Sequence, residues 1–463
     1  MRAKIAAAVL ALAVTASGCT INQKAPLTAQ GDMCNFVAHR LTVDIPDDRE
    51  NARGPLSPFA QVIESSLAAH DNGAERGEEA KVLFLSGGSE HGAYGAGILS
   101  GWGGDGDIPD LQVVTGISTG AILSTFAFVD KGHFAADGYT IDSESQLIDV
   151  YSKPKDGKPD AANYLDLLKK GAFADLDPLK GRLEGFLTKS YEVTDASGAV
   201  RATTALAEVA RRHADGRRLY VGAVDADTGD GIAFDMGDMA TRYVSNHQGK
   251  AARWLDCYVD AIVASSSTPM AAPPVFIDNT MFIDGGVRFG LFGDSVIEAF
   301  KARKRAAESD DNAPAPPRVY AVIDGTLTLP PNACPKENPA DCSGDPPAWT
   351  SEGQHKDWNI LALALRSERL LVNQVYRFSA ASVEAEACED AGCFNFLRIA
   401  PDVAQFGIAL PAPLNAGNSG QLTCARWMAI DIAQDNPIQF HKRYMRCLIA
   451  YGKAKVADAG WGR

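Results

Sequence analysis

Residues 81–92 read Lys81-Val82-Leu83-Phe84-Leu85-Ser86-Gly87-Gly88-Ser89-Glu90-His91-Gly92. A short apolar run ends in a glycine-rich turn, and residues 92–102 (GAYGAGILSGW) continue with the composition of a helix. An apolar run this short, bounded by Ser-Gly-Gly, suits a buried strand. A second apolar run, 111–114, leads into Gly116-Ile117-Ser118-Thr119-Gly120, and residues 119–129 again suit a helix. Strand, glycine turn, helix, strand, tight turn, helix describes a parallel α/β unit with helices laid on the sheet. Each glycine inside 92–102 costs a helix ~1 kcal/mol against alanine. Their presence predicts that something approaches this helix's backbone closely.

Working outward, residues 130–189 are charged and mixed, with helical patterning at 164–170 and 178–187. This stretch reads as a cap or insertion. Residues 218–225 (RLYVGAVD) form a strand, Thr228-Gly229-Asp230-Gly231 a turn, and 232–236 the returning hairpin strand. Residues 258–265 form an apolar helix that 266–274 breaks. Residues 281–283 then run as a strand into Asp284-Gly285-Gly286. A late core strand follows at 318–323, between proline-rich loops at 311–317 and 330–347. Residues 360–380 predict a long amphipathic helix. No internal repeat is visible.

Three of these segments carry chemistry together. A serine hydroxyl is a poor nucleophile until a base takes its proton. In Gly-x-Ser-x-Gly the serine sits on a strained strand-to-helix turn, and the flanking Gly116 and Gly120 let neighbouring backbone pass. The helix after Ser118 adds positive potential at its N-terminus. Asp284 is the favoured base. In water its pKa of ~3.9 would make it feeble, so it requires a partly desolvated setting. An apolar strand before it and Gly285-Gly286 after it suit that need. An Asp-Gly pair is also a common turn. Backbone N–H groups around Gly87, Gly88 and Ser89 would suit a developing oxyanion, where losing one donor costs ~3 kcal/mol. A glycine turn can equally cradle a phosphate, but a dinucleotide site would want an acidic residue ending the second strand, which instead ends in the Ser118 turn. No metal or cofactor is expected, and His91, His133, His213 and His247 lack metal-ligand spacing.

Composition bounds the rest. The chain has 463 residues, 46% apolar and 22% charged, with a net charge of −14. That size allows up to about three domains. The acidic balance argues against nucleic acid as a partner. Arg2 and Lys4, an apolar run at 5–14 and the small residues Ala16-Ser17-Gly18 before Cys19 form a targeting signal. The run is shorter than the ~20 residues a bilayer span needs. Small residues before a cysteine resemble a bacterial lipobox, in which Cys19 becomes lipidated. Thr20, in place of Asp, then points to the outer membrane of a Gram-negative cell. An ordinary cleaved signal peptide is the alternative. Besides Cys19 there are Cys34, Cys257, Cys334, Cys342, Cys388, Cys393, Cys424 and Cys447. An even set in an exported chain reads as disulfides, with Cys334–Cys342 and Cys388–Cys393 favoured as local pairs.

Taken in order, LSGGSEHGAYGAGIL, GISTG, SSSTPMAAPPV and FIDGG resemble the patatin-like phospholipases, and most nearly their bacterial lipoprotein-type members. The resemblance covers about residues 80–325. It implies a three-layer α/β/α fold with a mostly parallel central sheet, followed by a helical, disulfide-containing C-terminal region. It implies a Ser–Asp dyad at Ser118 and Asp284. The family's Gly-Gly-Gly-x-Arg/Lys-Gly oxyanion turn falls on Gly87, Gly88, Ser89, Glu90, His91 and Gly92. Two positions depart: Ser89 replaces a glycine and His91 the basic residue, so positive charge there is in question. The expected division is a signal peptide at 1–18, a tether at 19–50, a catalytic domain at 51–325 whose cap at about 130–190 shapes an acyl pocket, and an extension at 326–463. The expected activity is hydrolysis of lipid carboxylic esters through an acyl-enzyme, on membrane lipid or a lipid-like ester. No protein partner is legible. Two competing readings are an α/β-hydrolase using His355 or His441 in a triad, and a lipid-binding lipoprotein without turnover.

Overall fold

The computed structural model of the chain describes residues 27–41, 56–71, 80–103, 108–151, 171–194, 198–307, 317–325, 327, 360–387 and 394–461. The expected signal at 1–18 and Cys19, residues 164–170, residues 330–347, His355, and the expected pairs Cys334–Cys342 and Cys388–Cys393 lie outside them.

Nine strands form the main sheet: β1 (Ala38–Leu41), β2 (Lys81–Leu85), β3 (Val113–Ile117), β4 (Arg218–Asp225), β5 (Gly231–Asp235), β6 (Val275–Ile277), β7 (Thr280–Asp284), β8 (Arg318–Ile323) and β9 (Phe394–Arg398). Their order is β1-β5-β4-β3-β2-β8-β9, with β7 also paired to β4 and β6 to β7. β4, β3, β2, β8 and β9 are mutually parallel, while β1, β5, β6 and β7 pair antiparallel. Successive strand residues face opposite ways. Leu83, Leu85, Val114, Tyr320 and Val322 accordingly join one core, and Val82, Phe84, Val113, Val319 and Ala321 the other. Both faces are covered, as expected of parallel strands that are apolar throughout. Each fully buried Leu, Ile or Phe contributes ~1.5–3 kcal/mol relative to exposure.

The first face carries α1 (Gly92–Gly101), α2 (Thr119–Phe128), α3 (Gly132–Tyr139), α4 (Asp177–Thr188) and α5 (Ala251–Ser266). The second carries the helix Pro58–Asp71, the helix Asp294–Ala307 and α6 (Ile360–Ala387). The three-layer α/β/α architecture is therefore present. What approaches Gly97 and Gly101 of α1 is α7 (Lys442–Ala459), back on the first face, whereas Gly92 faces Thr119 and Tyr139 and Gly95 faces Asp324 and Leu123. A Cβ on Gly97 would lie 2.2 Å from the Ile449 carbonyl oxygen, and one on Gly452 2.2 Å from that of Tyr94.

Several boundaries differ from the sequence reading. β3 runs three residues past Val114, because Thr115, Gly116 and Ile117 pair with Tyr220, Val221 and Gly222. α5 begins at Ala251, since Trp254 and Cys257 bury its first turns amid polar neighbours. Within the stretch read as a tether, Ala38–Leu41 is an edge strand, and Cys34 is disulfide-bonded to Cys257. Beyond residue 325, β9 extends the main sheet and Cys424 is bonded to Cys447.

Candidate active site

Strand register brings the serine and the aspartate together. β3 runs along one edge of β4 until Ile117 pairs with Gly222. β7 takes over the same edge, antiparallel, with Asp284 opposite Ala223. Ser118 follows Ile117 directly, so the ends of two strands meet at adjacent rungs of a third. Ser118 Oγ donates to Asp284 Oδ2 at 2.8 Å.

Ser118 has φ 54° and ψ −121°, a strained conformation for a residue with a side chain. Surrounding contacts hold it there. Its N–H donates to Ser265 Oγ at 2.8 Å, and its carbonyl accepts the Ala121 N–H at 2.9 Å. A Cβ on Gly120 would stand 2.4 Å from the Leu85 carbonyl oxygen, so only glycine fits under the turn. α2 begins immediately after, which places its positive end beside Ser118.

Asp284 is 4% exposed. Burial pushes its pKa above the usual carboxylate value, against three hydrogen bonds that favour the ionised form. The donors are the Gly286 N–H at 2.7 Å, Thr268 Oγ1 at 2.7 Å and Ser118. The desolvated setting required of this carboxylate is present. Tyr376 of α6 packs over both glycine turns. A Cβ on Gly87 would lie 2.3 Å from its hydroxyl, and one on Gly286 3.1 Å.

The Gly87–Gly92 turn lies on the other side of the serine, where a Cβ on Gly87 would come 3.0 Å from Ser118 Cβ. Ser89–His91 forms a 3-10 turn with Gly88 before it. N–H groups that open a helical turn have no preceding carbonyl to meet. Ser86 Oγ donates to the Gly87 carbonyl at 2.8 Å and accepts the Asp324 N–H at 3.0 Å. A planar trans peptide points its N–H opposite its C=O, so this contact also fixes the direction of the Gly88 N–H. Ser89 has φ 55°, a left-handed conformation that favours glycine. Burial lowers the pKa of His91 below its ordinary value, so at neutral pH it adds no positive charge to the turn.

An apolar cleft opens from Ser118. Ile122 and Phe126 of α2 wall it together with Leu179, Leu183 and Phe186 of α4, from the region read as a cap. Among the described residues, no group of three or more His, Cys, Asp or Glu side chains is placed to hold a metal ion. No helix there is long and apolar enough to cross a membrane. His441, considered for a triad, pairs with Glu90 at 2.9 Å, while Asp284 meets Ser118 with no histidine between them.

Residues 83–292 match the family model for patatin-like phospholipases. Ser118, Asp284 and the Gly87–Gly92 turn all fall inside that patatin-like segment. Among solved structures, the chain is similar to the crystal structure of VipD from Legionella pneumophila, at 12% identity over 67% of each chain and with a TM-score of 0.28. That likeness is too loose to bear on the chemistry. No curated protein matches the chain. Sequence reasoning passed over Thr268 and Ser265, although both lie in the SSSTPMAAPPV stretch. It also passed over Ser86, Tyr376 and Gln439, whose only signal was to be polar residues of ordinary composition.

Proposed function

We propose that this protein is a serine acyl hydrolase acting on carboxylic esters of lipids. The 2.8 Å hydrogen bond from Ser118 to a buried Asp284, at an apolar cleft, carries the reading. Asp284 accepts the proton as Ser118 Oγ attacks the ester carbonyl carbon. The N–H groups of Gly87, Gly88 and Ser89 hold the negative oxygen of the tetrahedral intermediate. The intermediate collapses to an acyl-serine, and the proton on Asp284 passes to the departing alcohol. Asp284 then activates water, which releases the fatty acid and restores Ser118. The cleft takes the acyl chain, and the patatin-like match supports lipid as the substrate class.

The test is labelling by a fluorophosphonate, with ester hydrolysis, for wild type, Ser118→Ala and Asp284→Asn. Wild type is expected to label and turn over, and both variants to lose activity. Unlabelled wild type beside a labelled control sinks the reading. Full activity in Asp284→Asn sinks the dyad and favours a triad.

We also propose export and anchoring through a lipid on Cys19, at the outer membrane if the source is Gram-negative. Metabolic labelling with an alkyne fatty acid is expected to mark wild type and not Cys19→Ala. Equal labelling of both refutes the anchor.

A further inference from the structure

The segment Ile438-Gln439-Phe440-His441 lies far outside the patatin-like match, yet it is tied into the site. Glu144, nearly buried, accepts the N–H groups of Ile438 at 3.1 Å, Gln439 at 2.6 Å and Phe440 at 3.0 Å. Glu90, inside the glycine turn, accepts both the backbone N–H of His441 at 3.1 Å and its ring Nδ1 at 2.9 Å. Two carboxylates thus clamp a four-residue strap. Between the clamps, Gln439 and Phe440 line the same cleft as Ser118 and Ser89. The Gln439 side-chain amide donates to Ser89 Oγ. On the opposite side Thr119 Oγ1 donates to the Ser89 carbonyl at 3.0 Å.

Ser89 needs such restraint. At φ 55° its Cβ crowds the backbone, and a residue with a side chain prefers negative φ. Relaxing to negative φ would swing the Ser89 N–H away from its present direction. A hydrogen bond anchored in a clamped strap opposes that relaxation.

We infer that Gln439 is a positioning residue for hydrolysis: its amide holds Ser89 in the left-handed conformation that aims the Ser89 N–H at the ester oxygen. This rests on the reading of Ser118 as nucleophile and of the glycine turn as oxyanion site. The strap thereby does from outside the turn what a glycine at position 89 would do from within.

The experiment uses the full chain and a soluble short-chain ester. Gln439→Met keeps the side-chain volume and deletes the donor. One such hydrogen bond is worth about a tenfold factor. Gln439→Met is therefore expected to lower kcat ~10-fold with KM unchanged within ~2-fold. Ser89→Ala deletes the same bond from its other end, and the double variant should be no slower than either single one. In a Ser89→Gly background, where φ 55° carries no strain, adding Gln439→Met should change kcat by less than ~2-fold. Additive losses, or an undiminished effect in the glycine background, overturn the inference. If Gln439→Met does not melt cooperatively, Ser89→Ala against Ser89→Gly decides. A ~10-fold lower kcat for alanine upholds the inference, and equal values overturn it. Wild type that neither labels nor hydrolyses removes the catalytic reading and this inference with it. Active wild type with an unaffected Gln439→Met removes the inference alone.

Discussion

Thr268→Val tests how the base is tuned. The substitution keeps the shape of the side chain and removes one of the three donors that meet the buried Asp284 carboxylate. Burial already raises that pKa, and the hydrogen bonds oppose the rise. Losing one leaves the charged form less stabilised, so the pKa climbs further. A hydrogen bond to an ionised group is worth ~1.5–3 kcal/mol, which at ~1.4 kcal/mol per pH unit is a shift of about one to two units. The acid limb of kcat/KM, which reports the free enzyme's base, should move upward by that amount. Above both limbs the two rates should converge, because an ionised Asp284 with a higher pKa is no weaker as a base. Thr268→Ser, which restores a hydroxyl, should return the limb toward wild type. The assay is a pH series with a soluble chromogenic ester whose leaving group is read at constant ionisation. A loss by the same factor at every pH, or a limb that moves downward, refutes Asp284 as the group that Thr268 tunes.

Asp284→Asn should abolish hydrolysis yet raise the melting temperature at neutral pH. The folded pKa of Asp284 lies above its unfolded value, so the stability linked to this group is complete below ~4 and is lost as pH rises through the folded pKa; an Asn variant that melts lower than wild type at pH 7–8 counts against this. His441 also has a raised folded pKa, mainly through Glu90 acting against the cost of burial. Its contribution should be full below ~6.5 and fade as pH rises through the folded value, so the melting-temperature gap between wild type and His441→Phe should narrow with rising pH, and a gap independent of pH would contradict the pairing. Gly120→Ala, whose methyl would press on the Leu85 carbonyl, should cost ~1–3 kcal/mol by overpacking and cut fluorophosphonate labelling, while a variant with wild-type melting and labelling would show that the turn has room to spare.

The parallel core was legible because its signal is local. Val82 to Leu85 is apolar without interruption, and the glycine turn after it leaves little other reading. Ser118 and Asp284 were legible as residue types on suitable turns, but their meeting depends on register along β4, which neither segment encodes by itself. The strand reaching Ile117 was cut short in the sequence reading because Gly116 looks like a turn residue, although in the sheet it pairs with Val221. The partners of Cys34 and Cys257 were not legible for a different reason. The cost of closing a loop grows only slowly with its length, so nearness in sequence is a poor guide, and Cys34 finds Cys257 across the fold. Gln439 carried no signal at all. A lone glutamine shows its role only once the strap is seen between Glu144 and Glu90.

The order in which these parts occur along the chain has a consequence for biosynthesis. A nascent chain emerges with its N-terminal end first. Ser118 and Asp284 leave the ribosome before the strap and α7, the helix laid against Gly97. A chain made only as far as Asp284 carries Ser118 and Asp284 without the Gln439 contact to Ser89. On the proposed reading, such a chain would attack esters with an oxyanion turn that the strap does not yet brace, and full esterase power would wait for residues 438–441.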